Sequence, residues 1–320
     1  MPQAAIGFVA LAVACCAAAS RYLSITNHAL LIVAALSPYL LLCAPVSAAF
    51  LLWGRQWIPA IVGAGLTIAM LAVQLPFDRG SGAAVQTDVR LRVMTANLFL
   101  GQADSRHLAE SAREQADVIA VQELTPEAAD RLSRAGLDAT FPYRWLDARD
   151  GPGGVGIWSR FPIHTPRRID GYTFAFLSAR IGVTGVSTSP TVVVAHMAGP
   201  WPQPIDDWRR DLTLLPATMS EVSEQAGTGS VIVAADLNST ADMRPFRALL
   251  SNGYRDAAKQ SGAGMMPTFP AGSRLPPLIA IDHILTRNCS ATSVRALNVR
   301  GSDHRGVVAA ISIPGSSAHS

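Results

Sequence analysis

Val231-Ile232-Val233-Ala234-Ala235-Asp236-Leu237-Asn238 carries five apolar residues without alternation into an acid and an amide. A strand with one wet face would alternate polar and apolar side chains, so a continuous apolar run marks a strand covered on both faces. Its polar end falls where the strand leaves the core, because an ionised group held inside would go uncompensated. The same pattern recurs along the chain. Val93-Met94-Thr95-Ala96-Asn97 ends in an amide, Val118-Ile119-Ala120-Val121-Gln122-Glu123 in an amide and an acid, and Val192-Val193-Val194-Ala195-His196 in an imidazole. Ile281-Asp282-His283 opens another apolar run, and Gly301-Ser302-Asp303-His304 precedes Val307-Val308-Ala309-Ala310-Ile311. Strand ends of this kind can converge on one rim and form a site there.

Amphipathic helical stretches at 104–115, 125–135, 205–224 and 241–251 separate these runs, and 153–196 holds several strands with turn signals between them. The mixture predicts an α/β domain of mixed sheets covered by helices, not a strictly parallel doubly wound sheet. This domain spans 89–314, after a polar, glycine-containing linker at 76–88 and before a flexible tail at 315–320.

The first 75 residues are different in kind. Hydrophobic residues make up 49% of the chain and mean hydropathy is +0.26, but the excess is concentrated here. Residues 4–19, 29–53 and 57–75 contain no charge. A bilayer core needs about 20 helical residues, so three transmembrane helices forming a membrane anchor at 1–75 are expected. A cleaved signal peptide would begin with a basic region, which Met1-Pro2-Gln3 lacks. A lipoprotein site at Cys15 is disfavoured by Cys16 where a small polar residue should follow. Arg55, between the second and third stretches, favours a cytoplasmic loop there and hence an extracytoplasmic domain. Cys289 is the one thiol beyond the apolar segments, so no disulfide can form within the domain.

Taken in order, Asn97, Gln122-Glu123, His196, Asp236-Leu237-Asn238, Ile281-Asp282-His283 and Ser302-Asp303-His304 resemble the motifs of the endonuclease/exonuclease/phosphatase (DNase I-like) superfamily. The resemblance covers essentially all of 89–314. It implies a four-layer sandwich, two mixed β-sheets flanked by helices, with a Mg²⁺ site at one rim. The apolar leader is further similar to that of a bacterial membrane-bound branch that includes a teicoplanin-resistance protein, which implies a link to glycopeptide resistance.

Side-chain chemistry supports the same reading. Cleaving a phosphate ester with water needs a cation beside the phosphoryl oxygens, a proton acceptor and help for the leaving oxygen. Mg²⁺, or Mn²⁺ in its place, takes hard oxygen ligands. Glu123 is expected as the principal metal ligand, with Asn97 and Asp303 beside it. His304 is the expected general base, oriented by Asp282. Asp236 and Asn238, two apart on an extended segment, should point to one side, toward the nucleophile and the phosphate oxygens respectively. His196 should donate a hydrogen bond to the phosphate. Taken singly, a strand-end acid is a solvated end and a lone histidine a satisfied structural group, and that plainer reading is kept for His283. Ser302 reads as a turn residue.

For substrate, a net charge of +3 with Arg167-Arg168 and Arg209-Arg210 as the adjacent basic pairs argues against a nucleic-acid tracking surface. Trp201, Trp208, Met265, Met266 and Phe269 lie in or near Pro-rich segments beside the expected catalytic strands. They either wall a site for an apolar substrate or pack locally in rigid loops. The expectation is a membrane-anchored, metal-dependent phosphoesterase with the lipid bilayer and a phosphorylated lipid or lipid-linked envelope intermediate as partners. A membrane-tethered nuclease and a non-catalytic membrane protein that binds a phosphorylated ligand are the alternatives.

Overall fold

Strands that are apolar on both faces need a cover on each side, and the chain supplies one by stacking two sheets between helices. The structure is a computed structural model that describes residues 2–74, 88–272 and 274–316; the linker expected at 76–88 and the end of the tail lie almost entirely outside them. The strands are β1 Val89–Asn97, β2 Val118–Gln122, β3 Tyr143–Asp147, β4 Val155–Ser159, β5 Ile163–Arg168, β6 Phe176–Ile181, β7 Thr191–His196, β8 Val231–Asp236, β9 Arg255–Asp256, β10 Asp282–Arg287, β11 Ser290–Asn298 and β12 Arg305–Ile313. The helices are α1 Pro2–Ser20, α2 His28–Ala35, α3 Ser37–Leu40, α4 Cys43–Trp53, α5 Trp57–Gln74, α6 Ser105–Gln115, α7 Pro126–Arg134, α8 Leu137–Thr140, α9 Ile205–Ala226, α10 Arg244–Leu249 and α11 Ala257–Gln260.

One sheet runs β11-β12-β1-β2-β4-β3 and the other β5-β6-β7-β8-β10-β9. Each has one parallel pair near its centre, β1 with β2 and β7 with β8, and antiparallel neighbours elsewhere. Residues two apart share a face, so Leu91, Val93, Val118 and Ala120 meet Val192, Val194, Ile232 and Ala234 between the sheets. The opposite faces are covered by helices. Met94, Ile119 and Trp158 pack with Leu108, Leu132 and Phe141 on one side, and Val193, Val231 and Val233 pack with Trp208, Leu215 and Phe246 on the other. The predicted helices appear with shifts of a few residues at their ends.

The expectation of three membrane-spanning helices is corrected. Among the described residues, α1 alone is a single helix long and apolar enough to cross a membrane. The charge-free run 29–53 breaks into His28–Ala35 and Ser37–Trp53 with a 65° bend, and Trp57–Ala72 is apolar but shorter. Local chemistry and packing explain the break. Pro38 removes a backbone donor at the start of α3, and Leu31 and Ala34 of α2 are buried with Ile25 in the outer core beneath α9 and α10. This part of the run covers protein instead of lipid. α1, α4 and α5 form a bundle in which small residues set the spacing: a Cβ on Gly7 would lie 2.6 Å from Leu51 Cγ, and one on Gly63 2.5 Å from Ser47 Oγ.

Close approach also decides one turn at the rim. The Gly154 carbonyl accepts from Leu124 N at 2.9 Å, and a Cβ on Gly154 would overlap the Leu124 carbonyl oxygen and stand 2.6 Å from Arg149 N. Gly154→Ala should therefore destabilise the domain by about 1–3 kcal/mol, read as a lower midpoint in chemical unfolding. An unchanged midpoint would show that the 149–154 segment can move away from Leu124.

Candidate active site

Strand register assembles the site. His196 lies beside Asp236 across the parallel β7–β8 pair, and Asp236 beside Asp282 across β8–β10. These three continue the inner face of their sheet past its last core residues, as Asn97 and Gln122, paired across β1–β2, do on the other. All five are buried. Where the inner faces end, the sheets are joined by polar contacts. Asn97 Nδ2 donates to Asp236 Oδ2 at 3.0 Å and to Glu123 Oε1 at 3.1 Å, and Gln122 Nε2 donates to Thr95 Oγ1 at 3.0 Å and to the Ala234 carbonyl at 3.3 Å.

The residues just past two of the strands turn sharply. Glu123 has φ +57° and Asn238 φ +46°, the left-handed region that L side chains enter at about 1–2 kcal/mol. Their neighbours Leu124 and Leu237 are buried in the outer cores and hold the turns. This corrects the reading of 236–238 as an extended segment. Asn238 is brought back by its own contacts: its N–H donates to Asp236 Oδ1 at 2.9 Å, its Nδ2 donates to the Met197 carbonyl at 3.0 Å, and its carbonyl accepts from Trp208 Nε1 at 2.9 Å.

Both site histidines have their Nδ1 fixed by an acceptor. His304 Nδ1 lies 2.8 Å from Asp282 Oδ2, so it carries the hydrogen and leaves Nε2 to exchange a proton. His196 Nδ1 donates to the Pro152 carbonyl at 3.0 Å, which leaves Nε2 3.6 Å from Asp236 Oδ2 and 3.9 Å from Glu123 Oε1. Ser302 acts in the turn, as expected: its hydroxyl donates to the Asn97 carbonyl at 2.8 Å and accepts from His304 N at 3.0 Å.

The rim is short of positive charge. Burial, then the Asp282 carboxylate, pushes the Asp236 carboxyl up, and burial together with Glu123 pushes Asp303 up. Burial alone would lower His304, but Asp282 and Asp236 outweigh it and raise the imidazole to about 10. Asp282 Oδ1 and Asp303 Oδ1 are buried with no hydrogen-bond partner. Raised carboxyls and orphaned carboxylate oxygens fit a hard divalent cation. Among the described residues, Asp236, Asp282 and His304 place ligand atoms within 4.8 Å of one another. Of the expected ligands, Glu123 accepts from Leu100 N at 2.5 Å and Asp303 holds an open oxygen. Asn97 presents nitrogen to Glu123, and its Oδ1 accepts from Phe99 N at 2.8 Å. Facing Glu123 with oxygen would require the amide to turn over.

Three supporting residues have roles that the sequence did not assign to them. Gln122 shares the face of Val118 and Ala120, so alternation along β2 already points it at the other sheet. Thr268, fully buried, accepts at Oγ1 from Ile281 N at 3.2 Å and Asp282 N at 3.3 Å and sets the start of β10. Trp208 was noted as an aromatic, but its bond to Asn238 has no local signal. His283 is structural, as read: Nδ1 lies 2.8 Å from Asp256 Oδ2, and Nε2 lies 3.1 Å from both the Ser239 and Ala280 carbonyls. Acceptors on both nitrogens require an imidazolium. Burial opposes that charge, but Asp256 raises the His283 pKa above its ordinary value.

Comparisons with known proteins agree on the fold. A model described as "Endonuclease/Exonuclease/phosphatase family" matches residues 94–304. No curated protein matches the chain. Among solved structures, an endonuclease/exonuclease/phosphatase from Beutenbergia cavernae is 19% identical with TM-score 0.56, covering 71% of this chain and 72% of its own. TDP2 of D. rerio, complexed with a single-strand DNA product, is 18% identical with TM-score 0.57, covering 70% of this chain and 99% of its own. Sphingomyelinase C from Streptomyces griseocarneus is 19% identical with TM-score 0.50, covering 69% and 99%.

Ionising Asp236 costs more in the folded chain than in the unfolded one, so its charge destabilises the fold as pH rises above the ordinary carboxylate value of 3.8. In EDTA at neutral pH, Asp236→Asn should melt at or above the parent temperature, with the gain shrinking toward that value. A variant that melts lower at neutral pH would show that the Asp236 contacts outweigh its desolvation.

Proposed function

The chain belongs to the endonuclease/exonuclease/phosphatase family, and from that premise we propose that it is a membrane-anchored, metal-dependent phosphoesterase acting on a phosphorylated lipid or lipid-linked envelope intermediate. Metal-dependent hydrolysis of phosphate esters is the general chemistry of this family. The observation that carries the assignment to this chain is the convergence of Asn97, Glu123, His196, Asp236, Asp282 and His304 on one rim, with Asn97 bonded to both Glu123 and Asp236.

In this reading Glu123 and Asp303 would hold Mg²⁺, or Mn²⁺ in its place, with Asn97 joining them only if its amide turned over. The ion, when bound, neutralises phosphoryl oxygens and offsets the carboxylate field. Asp282 fixes His304 so that Nε2 faces the reacting water and takes its proton. With its pKa raised to about 10, His304 without added positive charge is an imidazolium at neutral pH and cannot accept that proton. Asp236 orients the water, Asn238 binds phosphate oxygens through Nδ2, and His196 as an imidazolium would donate to the phosphate from Nε2, in place of its 3.5 Å contact with Asn238 Nδ2.

Several features support a membrane substrate. α1 is apolar and long enough to span, and Phe8, Val9, Trp53, Trp57, Ile58 and Ile61 expose apolar surface on the N-terminal helices. Trp201 and Met265, on loops flanking the rim, are also exposed. A nuclease is the second reading, favoured by the single-strand DNA product in the TDP2 relative.

The full-length protein in detergent should hydrolyse polyprenyl phosphates or phospholipids with Mg²⁺ and lose that activity in EDTA. Glu123→Ala and His304→Ala should each reduce turnover by at least about 100-fold without lowering the melting temperature. Full activity in either variant would remove the proposed mechanism, and cleavage of DNA alone would move the function to a tethered nuclease.

A further inference from the structure

A cavity of about 200 Å³ lies where the N-terminal helices meet the catalytic domain and reaches Asp282 of the rim at one end. It exceeds the roughly 150 Å³ apolar void that admits benzene in an engineered protein. Ala35 and Pro38 wall it from the N-terminal side, and Phe246, Leu250, Leu278 and Ile279 from the catalytic domain. Arg21, Thr240, Asp242, Arg247 and Lys259 supply its polar wall.

Charges in this wall do not cancel. Asp242 pairs with Arg21, Asp256 with His283, and Asp282 with His304. Arg247 and Lys259 make no ion pair among the described residues. Arg247 is held by the carbonyl oxygens of Arg21 and Asp242 instead of by a carboxylate. Burial lowers the pKa of both guanidiniums, and Arg247 lowers that of Arg21 further. Positive charge half out of water with too little negative charge beside it is a place for an anion. A second, independent feature is Thr240, which is 4% exposed and whose Oγ1 has no hydrogen-bond partner. Buried hydroxyls are normally satisfied, and an orphan in a cavity wall points to a group that the cavity receives.

We infer that this cavity binds a single-chain anionic amphiphile, with its oxyanion head against Arg21, Arg247 and Thr240 and its alkyl chain along Ala35, Pro38, Leu250 and Ile279. The apolar wall alone would take any hydrocarbon; the unbalanced guanidiniums and the orphan hydroxyl select one that carries an acidic head. Arg21 directly follows α1, so the site stands at the end of the one single helix among the described residues that is long and apolar enough to cross a membrane. The inference does not rest on the proposed hydrolysis, since the residues assigned to the head and the chain lie outside the catalytic rim, although Asp282 of the rim also lines the cavity.

The test uses the full-length protein in phosphatidylcholine nanodiscs and a diazirine-bearing alkyl phosphate, with photoadducts mapped by peptide mass spectrometry. Adducts are expected on peptides containing 240–250 and 274–280, reduced about tenfold or more by excess dodecyl phosphate but not by inorganic phosphate or dodecanol. Ala35→Phe, which fills the cavity, and Thr240→Val, which keeps the shape and removes the hydroxyl, should each weaken this labelling while hydrolysis at the rim is unchanged. If Ala35→Phe does not fold, Thr240→Val carries the comparison. Labelling confined to α1, α4 and α5, equal competition by dodecanol, or parental labelling in Thr240→Val would overturn the inference. Competition by inorganic phosphate alone would overturn it too, by showing a simple anion site.

Discussion

Burial of both sheets on both faces is the constraint from which the rest follows. Inside the sandwich a polar side chain would lose its hydration without replacement, so the inner faces are apolar until the strands approach one rim. There the last inner-facing positions hold Asn97, Gln122, His196 and Asp236, with Asp282 opening the antiparallel neighbour. The groups are still buried, so their mutual interactions are strong and each needs a partner. Asn97 supplies the link, since its amide nitrogen reaches an acid from each half of the fold. The left-handed turns at Glu123 and Asn238 are held by buried leucines that follow or precede them, and local backbone strain is thereby maintained by packing in the outer cores.

The electrostatics of the rim follow from the same geometry. Glu123, Asp236, Asp282 and Asp303 crowd together with two imidazoles, and two of the carboxylate oxygens find no partner. Such a field holds a proton on His304 far above its ordinary value. It also makes the site a natural host for a cation, which is consistent with the chemistry of the family to which the chain belongs.

The N-terminal helices are joined to this domain by more than the intervening segment. Arg21 pairs with Asp242, His28 Nε2 lies 3.0 Å from the Pro200 carbonyl, and Tyr39 donates to the Leu278 carbonyl at 2.6 Å. Ile25, Leu31 and Ala34 share a core with Trp208 and Phe246. α2 therefore belongs to the packing of the catalytic fold as much as to the apolar leader. The same junction encloses the cavity with its unbalanced arginines.

Continuous apolar runs with polar ends were enough to identify buried strands, their mixed arrangement and the residues at the rim, because burial on two faces leaves a mark on every residue of a strand. Alternation along Val118, Ala120 and Gln122 also carried the direction of Gln122, though it was not used. Hydropathy overestimated the membrane helices, since an apolar run reads the same whether it faces lipid or the flank of another domain; the packing of Leu31 and Ala34 made that choice. Spacing likewise misjudged Asn238, whose direction depends on a left-handed turn held by Leu237 and Trp208. Residue type and order along the chain thus determined which groups reach the rim. That the Asn97 amide nitrogen faces both Glu123 and Asp236, which acceptor holds Nδ1 of each histidine, and what covers α2 were decided by contacts between segments distant in sequence, and those exist only once the two sheets have closed on each other.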